Sequence, residues 1–160
     1  MNKVLSIALC ISILTISSCT VNKELNTNSR RLAGNWQLNT IISEAINKET
    51  VINIFNEADF RCFIGSNWNF TKDIVSYSIS SSKDGKCNNV KKNLALKLFI
   101  NDQKKFLLQL KNLNENLQES ETGSIGHLFE LVSLNDKSMQ LRAEIMINGQ
   151  PGLFVFNFIK

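Results

Sequence analysis

Few residues of this chain could carry acid–base or nucleophilic chemistry. Its only histidine, His127, follows a glycine-bounded stretch that contains Ser124. Hydrolytic catalysis would need both side chains and an orienting carboxylate within hydrogen-bonding distance of one another. The stretch "ETGSIG" is not a nucleophile elbow, and the sequence has neither a phosphate-binding glycine loop nor carboxylates at metal-ligand spacing. We therefore predict a protein that is not an enzyme, without cofactor or metal, and with His127 at an exposed position or a sheet edge.

Two cysteines, Cys62 and Cys87, are the other reactive side chains within the main body of the chain. In an oxidising compartment an even pair of cysteines is typical of a disulfide. Such a bond would stabilise the fold by about 3 kcal/mol on the chain-entropy model. A metal site is the alternative, but no histidine lies near either cysteine in the sequence to complete four ligands. The pattern favours the disulfide.

The first residues, "MNKVLSIALCISILTISSC", are typical of a secretory signal peptide, with one charge at Lys3 and then an apolar and hydroxylated run. Ile16, Ser17 and Ser18 directly before Cys19 resemble the lipobox of bacterial lipoproteins. The resemblance implies that residues 1–18 are removed and that acylated Cys19 attaches the protein to a membrane. An ordinary secreted protein cut near the same place is the alternative, and the apolar run is too short to favour a membrane span.

Residues 19–31 continue from the cysteine as the polar segment "TVNKELNTNSRR", which predicts a flexible tether. Some lipoproteins bound for the cell surface carry an acidic run behind the cysteine, whereas this chain has only Glu24 there. We therefore expect a lipid anchor in the bacterial cell envelope, in the outer membrane and facing the periplasm. The formal net charge of +4 comes from scattered lysines, which argues against nucleic acid as a partner.

An alternation of apolar and polar residues, typical of half-buried strands, runs through the remainder of the chain. It is clearest in "LALKLFI", "MQLRAEIMI" and "LFVFNFI", between which lie turn sequences such as "NGQPG". Further strands are predicted at residues 36–42, 67–71, 74–80, 106–112 and 128–134. The pattern predicts one all-β domain over residues 32–160, an antiparallel up-and-down β-barrel of about eight strands. Alternation alone does not say which strand face points inward.

Two segments interrupt this alternation. Between Ser43 and Phe60, the spacings of Ile52 with Phe55 and of Glu44 with Lys48 are compatible with a short helix or a lid after the first strand. Residues 112–126, "NLNENLQESETGSIG", are polar and acidic and predict a long, mobile loop.

A glycine two residues before a tryptophan, at the entry to the first strand, is the feature with the clearest family likeness. Gly34 and Trp36 resemble the signature of the lipocalin family, in particular the lipocalin-like domains of bacterial lipoproteins. The resemblance also covers "CFIGSNWNF" and the late "SMQLR" strand. It implies that Gly34 turns the chain into the barrel and that Trp36 closes its base, where Lys160 or Arg142 could stack on the ring.

Two functions are compatible with these features. The first is a lipid-anchored binding protein that holds a small apolar or amphipathic ligand in the barrel, lined by Trp68, Phe70 and Tyr77 and oriented by polar groups such as Gln140 or Arg142. The same aromatic residues would fill a solid core equally well. In that case the protein would be an interaction or inhibitor module that contacts an envelope protein partner through its loops.

Overall fold

A computed structural model describes residues 16–43, 51–55, 57–119, 126–147 and 149–160 of the 160-residue chain. One helix, α1 (Ile16–Leu32), precedes the strands. The strands are β1 (Gly34–Ser43), β2 (Asn53–Ile54), β3 (Ala58–Asp59), β4 (Asn67–Phe70), β5 (Ile74–Ile79), β6 (Val90–Ile100), β7 (Phe106–Asn112), β8 (His127–Leu134), β9 (Ser138–Ile147) and β10 (Gln150–Ile159).

Within the described residues, eight of these strands form a closed barrel in the order β1-β10-β9-β8-β7-β6-β5-β4. Neighbouring strands are antiparallel, and β1 closes the barrel by pairing with both β10 and β4. Apart from this closure, each barrel strand pairs with the next along the chain, so the topology is up-and-down. The predicted architecture is confirmed. All eight strands predicted from alternation are present. The alternation identified them because every second side chain of a half-buried strand points toward the core.

Strand β9 shows which face of the sheet points inward. Met139, Leu141 and Ala143 are buried, whereas Glu144 on the other face is exposed. The inward residues of β10 are Phe154, Phe156 and Phe158, all at most 3% exposed. The interior is therefore a packed aromatic and aliphatic core.

The closed end of the barrel is built around Trp36. Its indole Nε1 donates to the carbonyl oxygen of Leu32 at 2.7 Å, and the Lys160 ammonium lies 4.6 Å from the ring centroid. Lys160, rather than Arg142, is the cation that stacks on the ring. Gly34 has φ +120°, and a Cβ there would lie 3.4 Å from Lys160 Cε, so this backbone suits glycine.

The opposite end of the barrel is covered by a segment that we call the lid, residues 51–55 and 57–63. It contains the two-stranded β2–β3 sheet and a turn of 3₁₀ helix at Phe60–Phe63, the short helix expected after β1. Helical spacing placed that helix nearer Ile52 and Phe55, but these residues lie in and beside β2. Glu44 and Lys48 lie outside the described residues.

The predicted disulfide is confirmed, because Cys62 is bonded to Cys87 and joins the lid to the β5–β6 connection.

Helix α1 occupies the segment for which polar composition predicted a flexible tether. Its sequence contains neither proline nor glycine, and Arg30 and Arg31 in its last turn interact favourably with the helix dipole. Leu32, at its end, is 1% exposed and fixes the helix to the closed end of the barrel. None of the helices in the described part of the chain is long and apolar enough to cross a membrane.

Candidate functional site

An open cavity of about 650 Å³ lies beside the lid, on the β8–β9 side of the barrel. Its walls come from lid residues 53–55, the β6–β7 turn, β8 and β9, with Leu107 of β7 and Leu153 of β10. A volume of 300–1,000 Å³ is typical of small-molecule sites. The cavity is therefore large enough for a ligand.

The outer rim of the cavity carries a group of charged side chains centred on Glu130. Its carboxylate accepts hydrogen bonds from Arg142 at 2.6 Å and from Lys105 at 3.3 Å. The hydrogen bond from Arg142 is the main reason why the pKa of Glu130 lies below its ordinary value. With Glu144, the lining has two acidic and two basic side chains, so the charges balance.

The inner wall of the cavity is apolar and lies where two strands stop pairing. The β8–β9 ladder runs from Leu134↔Met139 to Glu130↔Arg142, and no pair beyond Glu130 is described. Residues past this point line the cavity, among them Phe129, Ala143 and Ile145. The cavity thus has a polar rim and an apolar wall, an arrangement that suits an amphipathic molecule.

Phe55 and His127 meet at the inner end of the cavity, with ring centroids 4.5 Å apart and the rings nearly perpendicular. Edge-to-face contact is a favourable arrangement of aromatic rings. Burial holds the pKa of His127 below its ordinary value of 6.5, so the imidazole is neutral at neutral pH. His127 begins β8 and is half-buried, rather than fully exposed.

The predicted ligand-lining residues are divided between the core and the outer face. Trp68, Phe70 and Tyr77 are buried and pack together in the interior; Trp68 and Tyr77 are stacked at 4.9 Å. Gln140 donates to Asn157 at 2.9 Å on the outer face. Of these five residues, Arg142 alone is among the residues that line the cavity.

The other residues with candidate chemistry form no metal site in the described part of the chain. There, no group of three histidine, cysteine or carboxylate side chains could hold a metal ion. Ser124 lies outside the described residues. Cys19 falls in α1, in a part whose side chains are not described.

Four cavity residues were not predicted from the sequence: Phe55, Phe129, Ala143 and Glu130. Phe55 lies in "VINIF", where the alternation fails, and this irregularity is the one signal that marked the lid. The others follow regular strand patterns. Nothing in those patterns shows that the β8–β9 pairing stops halfway along the strands.

Comparisons with known proteins give structural likenesses only. No family model matches the chain, and no curated protein matches it. Lobster apocrustacyanin A1 is 14% identical with a TM-score of 0.46, over 91% of this chain and 69% of that chain. A deswapped triple mutant of bovine odorant-binding protein is 19% identical with a TM-score of 0.43, over 81% of this chain and 74% of that chain. The bovine protein has also been solved with its natural ligand, at 20% identity and a TM-score of 0.41, over 81% of this chain and 71% of that chain. These likenesses bring no function to this chain, and its membership of the lipocalin family stays a prediction.

Proposed function

We propose that this protein is a lipid-anchored lipoprotein of the bacterial envelope whose lipocalin-like barrel binds a small amphipathic ligand in the cavity between the lid, β8 and β9. The observation that carries this proposal is the cavity itself, with about 650 Å³ of space, a polar rim and an apolar wall. The lipobox resemblance at Cys19 supports the anchor, and the motif at Gly34 and Trp36 supports the family assignment.

Binding would be driven by burial of the ligand's apolar part against Phe129, Ala143 and Ile145. Each buried methylene contributes about 0.8 kcal/mol, which is about fourfold in Kd. The two acidic and two basic side chains of the rim balance, and both basic groups are already paired with Glu130. A net charge on the ligand therefore gains little there. The ligand is therefore a neutral or zwitterionic amphiphile.

The natural ligand is sought by native mass spectrometry of residues 20–160, purified without detergent from the exported compartment of the producing cell. We expect an additional mass that disappears on denaturation and identifies the compound. A chain without additional mass that also fails to bind added lipophiles would contradict the proposal.

Calorimetric titration with neutral alcohols, from 1-hexanol to 1-decanol, measures the apolar wall directly. We expect the affinity to rise by about fourfold per carbon until the cavity is full.

Leu153 lines the cavity on the outward face of β10, so Leu153→Asp should weaken 1-decanol binding by at least about tenfold. Ile159 is the matched control: it lies on the same face of the same strand and is similarly exposed, at 40% against 47%, but is not among the cavity residues. Equal effects of Leu153→Asp and Ile159→Asp would contradict this location of the site.

One observation favours the second function, an interaction or inhibitor module. Three exposed apolar side chains lie on the outer faces of the adjacent strands β1, β9 and β10: Ile42, Met146 and Leu153. The interior at the lid end of the barrel is meanwhile filled by lid residues. If no lipophile binds, an envelope protein partner captured through this face becomes the favoured function.

A further inference from the structure

The side chain of Phe55, which belongs to the lid, fills the barrel interior at the lid end. It is 2% exposed and packs against a cage of aromatic residues. Its ring is stacked on Tyr77 at 5.6 Å and 25°, and its centroid lies 6.0 Å from that of Trp68. Phe63, Phe129 and His127 complete the cage. Phe55 therefore occupies a site whose walls are suited to a flat ring.

The backbone of Phe55 is unfavourable for its residue type. Its φ is 56°, in the left-handed region, which bulky residues seldom adopt. Residues held in such a conformation depend on surrounding contacts and are often found at ligand clamps and switch regions. The conformation of Phe55 is thus maintained by the packing of its ring in the cage.

Tyr77, directly against Phe55, has a hydroxyl group without a hydrogen-bonding partner among the described residues. The residue is 2% exposed, so this polar group is buried as well as unpaired. Buried hydroxyl groups are normally satisfied, and an exception calls for a missing partner. Burial, and secondarily the Glu57 carboxylate, raise the pKa of Tyr77 well above its ordinary value, so the hydroxyl remains protonated and can donate.

We propose that Phe55 is a removable plug: a ligand with a flat aromatic ring displaces it, stacks on Tyr77 and Trp68, and accepts a hydrogen bond from the Tyr77 hydroxyl. This inference rests on the proposed function, since the ligand enters through the same cavity. It adds a deeper site and a ligand class, a neutral ring compound that carries a hydrogen-bond acceptor.

The position of Phe55 allows such an exchange. Phe55, His127 and Phe129 line the cavity, so the plug separates the cavity from the aromatic interior. The β2–β3 sheet that carries Phe55 is not part of the barrel sheet. Its hydrogen bonds are largely internal to the lid, such as Phe60 N to Ile52 O at 2.8 Å. The lid is joined to the barrel by the disulfide and by the ion pair between Glu57 and Lys92, which can hold it nearby while Phe55 leaves.

The first test compares three probes by calorimetry: 2-naphthol, which has a ring and a hydroxyl, 2-methylnaphthalene, which has the ring alone, and 1-decanol, which has neither ring nor rigid shape. Phe55→Ala should bind 2-naphthol about tenfold more tightly than the wild type, because no plug has to be displaced. Phe60→Ala is the matched control: it also removes a buried lid phenylalanine, but one that packs against Phe154 and does not line the cavity. It should change the affinity by less than about twofold.

Three outcomes would overturn the plug. The first is weaker or unchanged binding of 2-naphthol by Phe55→Ala: weaker binding would make Phe55 a part of the ligand's floor, and unchanged binding would show that the ligand does not displace it. Binding of 2-naphthol to Phe55→Ala but not to the wild type would show that the plug does not leave. Wild-type protein that binds 1-decanol but neither ring compound would leave the proposed function standing and contradict this inference alone. Phe55→Leu, a milder change, repeats the test if Phe55→Ala does not fold.

The second test isolates the Tyr77 hydroxyl. Tyr77→Phe should weaken 2-naphthol binding by about fivefold and leave 2-methylnaphthalene unchanged, because only the former can accept the hydrogen bond. Its Tm should equal or exceed that of the wild type, since an unpaired buried hydroxyl is removed. A lower Tm with equal weakening of both probes would assign Tyr77 a packing role and overturn its role in recognition.

Discussion

At the scale of single residues, two opposing energies decide the state of Phe55. The left-handed backbone costs about 1–3 kcal/mol. Complete burial of a phenylalanine side chain stabilises by about 1.5–3 kcal/mol. The two energies are of similar size, so burial holds the ring in place by a margin of at most about 2 kcal/mol. A ligand of ordinary affinity can overcome a margin of this size.

His127 provides a pH test of the same contact. Its folded pKa lies below 6.5 because of burial, so the unfolded chain binds the proton more readily. The stabilisation from neutral His127 is complete above about pH 6.5 and is lost as the pH falls through 6.5 toward the folded pKa. We expect the urea midpoint to decrease over this range.

His127→Gln is the control for this prediction, because the chain has no other histidine. The decrease below about pH 6.5 should be absent in this variant. Glu130 does not interfere, since its pKa lies below 4.5 and it titrates at lower pH. A midpoint that rises on acidification through this window would contradict the assignment.

At the scale of structural elements, the barrel strands were predictable and the lid was not. The inward side chains of β9 and β10 repeat every two residues, and this period requires a strand whatever the rest of the fold is. The lid has no such period. Which of its residues are buried, such as Ile54 and Phe55, depends on the shape of the barrel opening rather than on a regular repeat. Arg142 was predicted near a ligand from its polar type, whereas Glu130 became a site residue only through its neighbours in space.

The disulfide gives a prediction for the lid as an element. Replacing both Cys62 and Cys87 by serine should lower the free energy of unfolding by about 3 kcal/mol, because the bond closes a loop with a sequence separation of 25. Chemical denaturation measures this change, and reductant-treated wild type should show the same loss. A double variant as stable as the oxidised wild type would show that the lid's packing, rather than the bond, holds it in place.

At the scale of the whole molecule, the two ends of the barrel are suited to different tasks. Helix α1, Trp36 and Lys160 lie at the closed end, and the lid lies at the opposite end. Residues 19–32 of the helix span about 20 Å at 1.5 Å per residue. If Cys19 carries the lipid, as we propose, the lid and the cavity face away from the membrane, toward ligands in the aqueous phase.

The anchor is tested by Cys19→Ser in the full chain, expressed in a bacterium and grown with labelled palmitate. The variant should lose the label and move from the membrane to the soluble fraction, because acyl chains provide the attachment. Cys10→Ser is the matched control: this cysteine lies before the predicted cleavage position and should leave both readouts unchanged. Labelled, membrane-bound Cys19→Ser protein would contradict the lipoprotein assignment.

The placement of the two tryptophans gives the molecule an optical property of its own. Trp68 touches the ring of Phe55, whereas Trp36 is covered by Lys160. Any event that moves Phe55 changes the surroundings of Trp68 directly, whereas Trp36 makes no ring contact with Phe55 among the described residues. The difference in fluorescence between the wild type and a Trp68→Phe variant isolates the emission of Trp68. This emission makes the unlabelled protein a sensor with which compound collections can be screened for its ligand.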